Sequence, residues 1–355
     1  MPRSSKKTAI SSQQKLITAV RRPFAAAVTR TKSFMARRPH RSFRLTRRRD
    51  YTRSLQLPGF FGFTRIVNKT LLQHRKIFLL LIAVYAVLTA VLVGMGSQES
   101  YATLTSTLQE TGGEIFQGNF AEVGKAGLLF ASIAASGLSA TPTDVQQIYS
   151  VIIGLMVWLV TVWILRNTMA GHKVKLRDGV YSAGAPIIST FLVGLLFVVQ
   201  LLPLGIAVLA YAAAEGSGLL AGGVATMLFW FAAALLAVMS LYWITSTFFA
   251  MIIVTLPGMY PMQAVKTAGD MMVGRRLRVL LRILWMLLCI AVAWLVVLIP
   301  FILLDSGLKQ LWTQIQWVPI IPVVLLLLGV GSVVWGASYV YLLYRRVVDD
   351  DAKPA

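Results

Sequence analysis

Histidine, cysteine and clustered carboxylates carry most protein chemistry, and this chain spaces them too widely for any of it. His40, His74 and His172 are its only histidines, and none sits in a His-Glu-x-x-His run, the helical spacing that lets two imidazoles and a carboxylate share one zinc-bound water. The single cysteine, Cys289, lies in an apolar stretch, so there is neither a disulfide framework nor a thiolate metal site. No glycine-rich loop ends in Lys-Ser/Thr to cradle phosphates, and no Gly-x-Ser-x-Gly elbow presents a nucleophile. The expectation is a non-enzyme that needs no cofactor and no metal.

Polar groups inside apolar runs are the next candidates, because an ionisable side chain at membrane depth marks a pathway or a partner. Arg282 stands one turn beyond Arg278 and can snorkel to an interface. Gln200 lies one turn before Pro203 and near Gly205. It either satisfies a carbonyl freed by a proline kink or contacts a solute on a pathway. Thr245, Ser246 and Thr247 form a second patch, most simply bonded back to helix carbonyls. Two basic sets remain, Lys173, Lys175 and Arg177, and Arg275, Arg276 and Arg278. Their type suits lipid headgroups or an acidic protein surface.

The elements that must position these residues follow from composition. The chain is 13% charged and 57% hydrophobic, where a soluble domain would be about a quarter charged. Six apolar stretches, at about 77–93, 145–165, 185–213, 223–253, 279–303 and 318–343, reach the roughly 20 residues a helix needs to cross the hydrocarbon core. Short alternating segments, the mark of a membrane β-barrel, do not occur. Thr141-Pro142-Thr143-Asp144 signals the start of the second span, with a cap, proline in the first turn and an acid.

Charge is concentrated at one end of the sequence. Residues 1–76 hold 20 Lys+Arg against Asp50 alone, leaving 14 basic and 12 acidic residues for the other 279. Basic residues also fill the even-numbered connections (Arg166, Lys173, Lys175 and Arg177, then Lys266, Arg275, Arg276 and Arg278) and follow the sixth span as Arg345 and Arg346. The odd-numbered connections hold mainly Glu99, Glu110, Glu114, Glu122, Asp144, Glu215 and Asp305. Positive residues stay inside, so both termini are expected in the cytoplasm.

The domain reading has a disordered polybasic tail at 1–54, an amphipathic interfacial helix at 55–76, a six-helix transmembrane domain at 77–346 and a short C-terminal tail at 347–355. In the interfacial helix Phe63, Ile66, Val67, Thr70, Leu71 and His74 share one face, with Arg65, Asn68, Lys69 and Gln73 opposite. It lies either in the headgroups or on the protein's own surface. The apolar stretch 126–138 in the first connection is too short to span and is an interfacial, re-entrant or lid segment. Leu57-Pro58-Gly59 and Leu256-Pro257-Gly258 each precede a mixed basic segment and a spanning helix, an echo that suggests three hairpins, each introduced by an amphipathic helix. The segment 259–274 is the favoured partner-binding surface, a helix with Met262, Val265, Met272 and Val273 as its apolar residues that lies along the membrane and delivers Arg275, Arg276 and Arg278 to the headgroups. Trp158, Trp163, Trp312 and Trp317 read as interfacial anchors, and Gly329, Ser332 and Gly336 as a small-residue seam for close helix contact.

Two blocks carry a resemblance. Leu165-Arg166 with Lys173-Val174-Lys175-Leu176-Arg177-Asp178 forms the first. Leu256-Pro257-Gly258-Met259-Tyr260-Pro261-Met262, followed by Ala264, Ala268 and Gly274-Arg275-Arg276, forms the second. Through them the chain resembles functionally uncharacterised bacterial six-helix integral membrane proteins and, more distantly, the membrane domain attached to some glycerophosphodiester phosphodiesterases. The resemblance implies a fold with a cytoplasmic amphipathic helix leading into the fifth span. The phosphodiesterase's catalytic acids and histidines have no counterpart here, so no activity is implied.

The expected fold is all-α: a polytopic membrane bundle of six transmembrane helices with cytoplasmic amphipathic helices and both termini cytoplasmic. The bacterial inner (plasma) membrane is the expected location, with an organellar membrane as the alternative, since the Arg-rich start also resembles a transit peptide. The expected function is a scaffold or accessory protein whose basic cytoplasmic face binds anionic inner-leaflet lipid or a protein partner. The alternative is a transporter of a lipid or small apolar solute, with a pathway near Gln200 and Pro203. Nucleic acid is disfavoured, because the tail has few aromatics for stacking and no folded recognition module.

Overall fold

A run of twenty apolar residues leaves its backbone no hydrogen-bond partner but itself, and every described element is a helix. The computed structural model describes residues 57–94, 143–216, 222–311 and 320–351, all within Ser54–Ala355. The readings for the tail 1–54, for the segment 126–138 and for Trp312 and Trp317 fall outside these residues.

In chain order the helices are α1 (Phe60–Gln73), α2 (Arg75–Leu92), α3 (Asp144–Met169), α4 (Leu176–Ala183), α5 (Ile187–Gly216), α6 (Val224–Ile253), α7 (Pro261–Met271), α8 (Arg276–Leu311) and α9 (Ile320–Asp351). Among them α2, α3, α5, α6, α8 and α9 are long and apolar enough to cross a membrane. The order short, long, long recurs three times. The two Leu-Pro-Gly segments are nevertheless not equivalent. Gly59 is the N-cap of α1 with φ −51°, whereas Gly258 takes the left-handed φ of +78° and the cap of α7 falls two residues later, on Tyr260.

Long helices that follow one another run antiparallel. Gly94 after α2 lies against the side-chain amide of Gln146 in the first turn of α3. Gln200 and Leu204 of α5 meet Thr247 and Ser240 of α6 in reversed order, as Ile290 and Trp294 of α8 meet Gly336 and Ser332 of α9. The ends of α3, α6 and α9 therefore share one side with α1, α4 and α7. That side carries the clustered basic residues.

The centre of the bundle is α3 and α9. Half of the most apolar window of α3 and 44% of that of α9 are buried, against 6% for α6 and 11% for α5 and α8. The buried residues of α6 all lie between Ser240 and Ile253, so its first half faces outward along with the neighbouring part of α5. Trp158 sits in the central layer, 9% exposed, rather than at an interface as an anchor.

Other boundaries depart from the sequence reading. Thr143, not Thr141, caps α3: its hydroxyl accepts from Gln146 N at 3.4 Å while Gln146 Oε1 accepts from Thr143 N at 3.0 Å, a reciprocal box that satisfies two first-turn amides. Helix α8 runs eight residues past Leu303, because Asp305 and Lys309 are one turn apart and pair at 2.8 Å on the helix. Helix α9 continues through Asp351, taking up most of the expected C-terminal tail.

Candidate functional surface at the basic end

Lys173, Lys175 and Arg177 are exposed, as expected for residues that meet something outside the bundle. Helix α4 places them by lying close on α3. A Cβ at Gly179 would come within 3.2 Å of the Trp163 ring, so any side chain there would press the two helices apart. Beside these cations Tyr181 points outward, 90% exposed.

The second basic set divides. Arg278 is exposed. Arg276 lies over the Tyr242 ring, 3.7 Å from its centroid, and donates from Nη1 to the Tyr242 carbonyl at 3.3 Å. Arg275 is 1% exposed, so it does not present itself to headgroups as the sequence reading had it. The physical reason is the turn before it. Gly274 has φ +78°, which swings Arg275 inward just before α8 begins, while Arg276 and Arg278 follow the helix outward.

Helix α7 buries Ala264 and Ala268, with Met272 at its C-cap, spaced by four residues on one face. Met262 and Val273, two of the apolar residues of a helix expected to lie along the membrane surface, face outward with Tyr260, whereas Met272 is buried. The alanines win because their small side chains let α7 approach the ends of α5 and α6 closely. In a bilayer, large apolar residues have no such preference for the interior.

Arg166 is a strut rather than a surface cation. Its Nη2 donates to the Thr255 carbonyl at 3.1 Å and to Thr255 Oγ1 at 2.5 Å, joining the end of α3 to the turn after α6. Arg282 does not snorkel. It is 7% exposed, donates from Nη2 to the Pro58 carbonyl and lies over the Phe60 ring at 4.3 Å.

These contacts dock α1 on α8 and α9. Thr64 Oγ1 accepts from Trp285 Nε1 at 3.0 Å and Asn68 Oδ1 from Trp335 Nε1 at 2.8 Å. Phe61 meets Trp285 edge-on at 4.8 Å and Phe63 meets Tyr339 likewise at 4.8 Å. Of the two placements open in the sequence, the described contacts are those of a helix packed on the protein itself. The tryptophan and arginine partners were not foreseen, since nothing in the sequence links residues more than 200 positions apart.

Thr245 and Ser246 bond back to carbonyls of their own helix, as expected, while Gln200 and Ser240 reach across to a neighbour. Gln200 Oε1 accepts from Thr247 Oγ1 at 2.5 Å. Past Pro203, whose ring clashes with the carbonyl one turn back, the amide of Leu204 donates to Ser240 Oγ at 3.1 Å. Ser240 thus bonds an amide just past the proline, while Gln200 is held by Thr247. Of the small residues on α9, Ser332 Oγ accepts from Trp294 Nε1 of α8 at 2.7 Å and Gly336 faces Ile290, but a Cβ at Gly329 would meet nothing within 4 Å, so the expected seam is only partly used. Among the described residues no three His, Cys, Asp or Glu side chains come together to hold a metal. His172 is exposed, His74 ends α1, and the thiol of Cys289 lies against Thr64.

The arrangement offers exposed cations interleaved with outward tyrosine and methionine side chains at one end of a six-span bundle, while the buried arginines hold the helices together. Set against protein-family models, curated proteins and solved structures, the chain matches none.

Proposed function

We propose that this multi-pass membrane protein is a non-enzymatic scaffold or accessory factor whose basic end faces the cytoplasm and binds anionic lipid headgroups or an acidic protein partner. The observation that carries the reading is the exposure of Lys173, Lys175, Arg177, Lys266 and Arg278 beside the outward side chains of Tyr181, Tyr260 and Met262. Cations with amphipathic aromatics suit the headgroup layer, and each Lys/Arg near an anionic leaflet contributes about 1 kcal/mol. Residence in the bacterial inner membrane with both termini inside belongs to this proposal, as does the distant kinship suggested by the blocks around Lys173 and Pro257. The engagement of Gln200 by Thr247 supports a packing role for the polar patch over a solute pathway.

The test is the selectivity of spin-labelled lipids at the reconstituted protein. The wild type should immobilise phosphatidylglycerol in preference to phosphatidylcholine, and Lys173→Gln with Lys175→Gln and Arg177→Gln should reduce that preference several-fold. A wild type without preference would overturn the lipid reading.

A further inference from the structure

The three short helices are docked in a cycle. Helix α4 packs on α3 and touches α2, and α7 packs on α6 and touches α5, so each closes the pair of long helices that precedes it. Helix α1 follows no such pair and packs instead on α9 and α8, the last one. Its attachment also differs in kind. Helix α4 comes close through Gly179 and α7 through Ala264 and Ala268, and both are joined to a long helix at either end. Helix α1 is held by side-chain bonds, and among the described residues its one junction with a long helix is His74.

All of those bonds run the same way. Arg282 Nη2, Trp285 Nε1 and Trp335 Nε1 donate, and the Pro58 carbonyl, Thr64 Oγ1 and Asn68 Oδ1 accept. The face of α8 and α9 beneath α1 is thus a set of donors around one buried cation, and α1 answers it with neutral acceptors. That answer is incomplete. Arg282 Nη1 is buried without a hydrogen bond, and so is Tyr339 Oη close to the guanidinium. No carboxylate pairs with Arg282 among the described residues. A buried charge without a counter-charge is costly, and an ionised acceptor bonds about twice as strongly as a neutral one. Next to the guanidinium, Phe60 and Phe61 lie against the Trp285 ring, a place that suits an apolar chain.

We propose that this face of α8 and α9 is a binding site for an anionic group on an apolar chain, a carboxylate or a phosphate monoester, and that the start of α1 is its intramolecular plug. The anion takes the place of the Pro58 carbonyl between Arg282 and Tyr339, the chain takes that of Phe60 and Phe61 against Trp285, and α1 lifts. The site uses none of the exposed rim cations and goes beyond the reading of the basic end.

The experiment follows chymotrypsin cleavage after Phe60 and Phe61 in the full chain in neutral detergent, with dodecanoate, dodecyl phosphate or dodecanol added below the concentration at which they form micelles. The anions should speed cleavage several-fold and dodecanol should not; whichever anion acts at the lower concentration identifies the head group. Thr64→Cys puts a second thiol against Cys289, which lies beside Thr64. Oxidation should crosslink α1 to α8 in this variant and abolish the response, and reduction of the same molecules should restore it. Tyr339→Phe removes an oxygen that bonds nothing at present and should raise the anion concentration required about tenfold, the worth of one bond to a charged group. The variant with Lys173→Gln, Lys175→Gln and Arg177→Gln should respond as the wild type does. The proposal is wrong if the anions do not outdo dodecanol, if Thr64→Cys fails to crosslink or still responds when oxidised, or if Tyr339→Phe needs no more anion than the wild type. Loss of the response in the rim variant would place the anion on the rim instead.

Discussion

The Arg282 guanidinium donates to the carbonyl of Pro58, 224 residues away in the sequence. This bond closes the start of α1 over the first turns of α8, with Phe60 stacked on the same guanidinium. It places a buried cation beside the Pro58 carbonyl and between the rings of Phe60 and Phe63, with Tyr339 nearby.

Arg282→Ala should therefore loosen α1. A hydrogen bond involving a charged group contributes about 1.5–3 kcal/mol, and the stacking about 0.5–2 kcal/mol. The variant should melt several degrees lower in detergent and become cleavable by protease near 57–61. Arg282→Lys should fall between, since an ammonium can reach the carbonyl but has no planar face to stack. An alanine variant as stable and resistant as the wild type would show that the bond contributes nothing.

At the α5–α6 contact the two polar bonds should differ in weight. Ser240→Ala removes the acceptor that α6 offers the Leu204 amide, a loss of about 0.5–1.5 kcal/mol. Gln200→Leu costs less, near the roughly 0.6 kcal/mol average for interhelical bonds in membranes, because Thr247 Oγ1 also donates to the Trp243 carbonyl at 3.3 Å. Thermal unfolding of the two variants should rank them in that order. The reverse order would make the Gln200–Thr247 bond the stronger tie between α5 and α6.

The two Leu-Pro-Gly segments should respond differently to the same substitution. Gly258→Ala forces a left-handed backbone on an L-residue, costing about 1 kcal/mol. Gly59→Ala meets no atom within 4 Å and needs no unusual dihedral. Equal melting temperatures for the pair would mean that the left-handed turn after α6 is not rigidly held.

Gly179 sets how close α4 lies to α3. Gly179→Ala should cost about 1–3 kcal/mol through overpacking against Trp163, and Gly179→Leu should lift α4 away and raise the solvent exposure of Trp163. Tryptophan quenching by an aqueous quencher reports this directly. Unchanged quenching in the leucine variant would contradict the close approach.

What could be read from the sequence, and what could not, divides along physical lines. The spans were readable because a bilayer demands length and apolarity, and most of the faces of α1 because Phe63 and Val67 are buried where Arg65 and Lys69 are not, although Asn68, read on the polar face, bonds Trp335 of α9. The buried face of α7 was not, since Ala264 and Ala268 win by being small. Three arginines in four residues look alike as letters, and only the dihedral at Gly274 turns Arg275 inward. Ser240 gave no signal, because its role depends on facing a proline on another helix.

The most direct test of the account is the sidedness of its two ends. In a Cys289→Ala background, cysteines replacing Ser182 on α4 and Gln263 on α7 should react with an impermeant thiol reagent only after the cells are permeabilised. Cysteines replacing Ser106 and Ser306 should react from outside in intact cells. Outside labelling at Ser182 or Gln263 would contradict a basic end that faces the cytoplasmic leaflet.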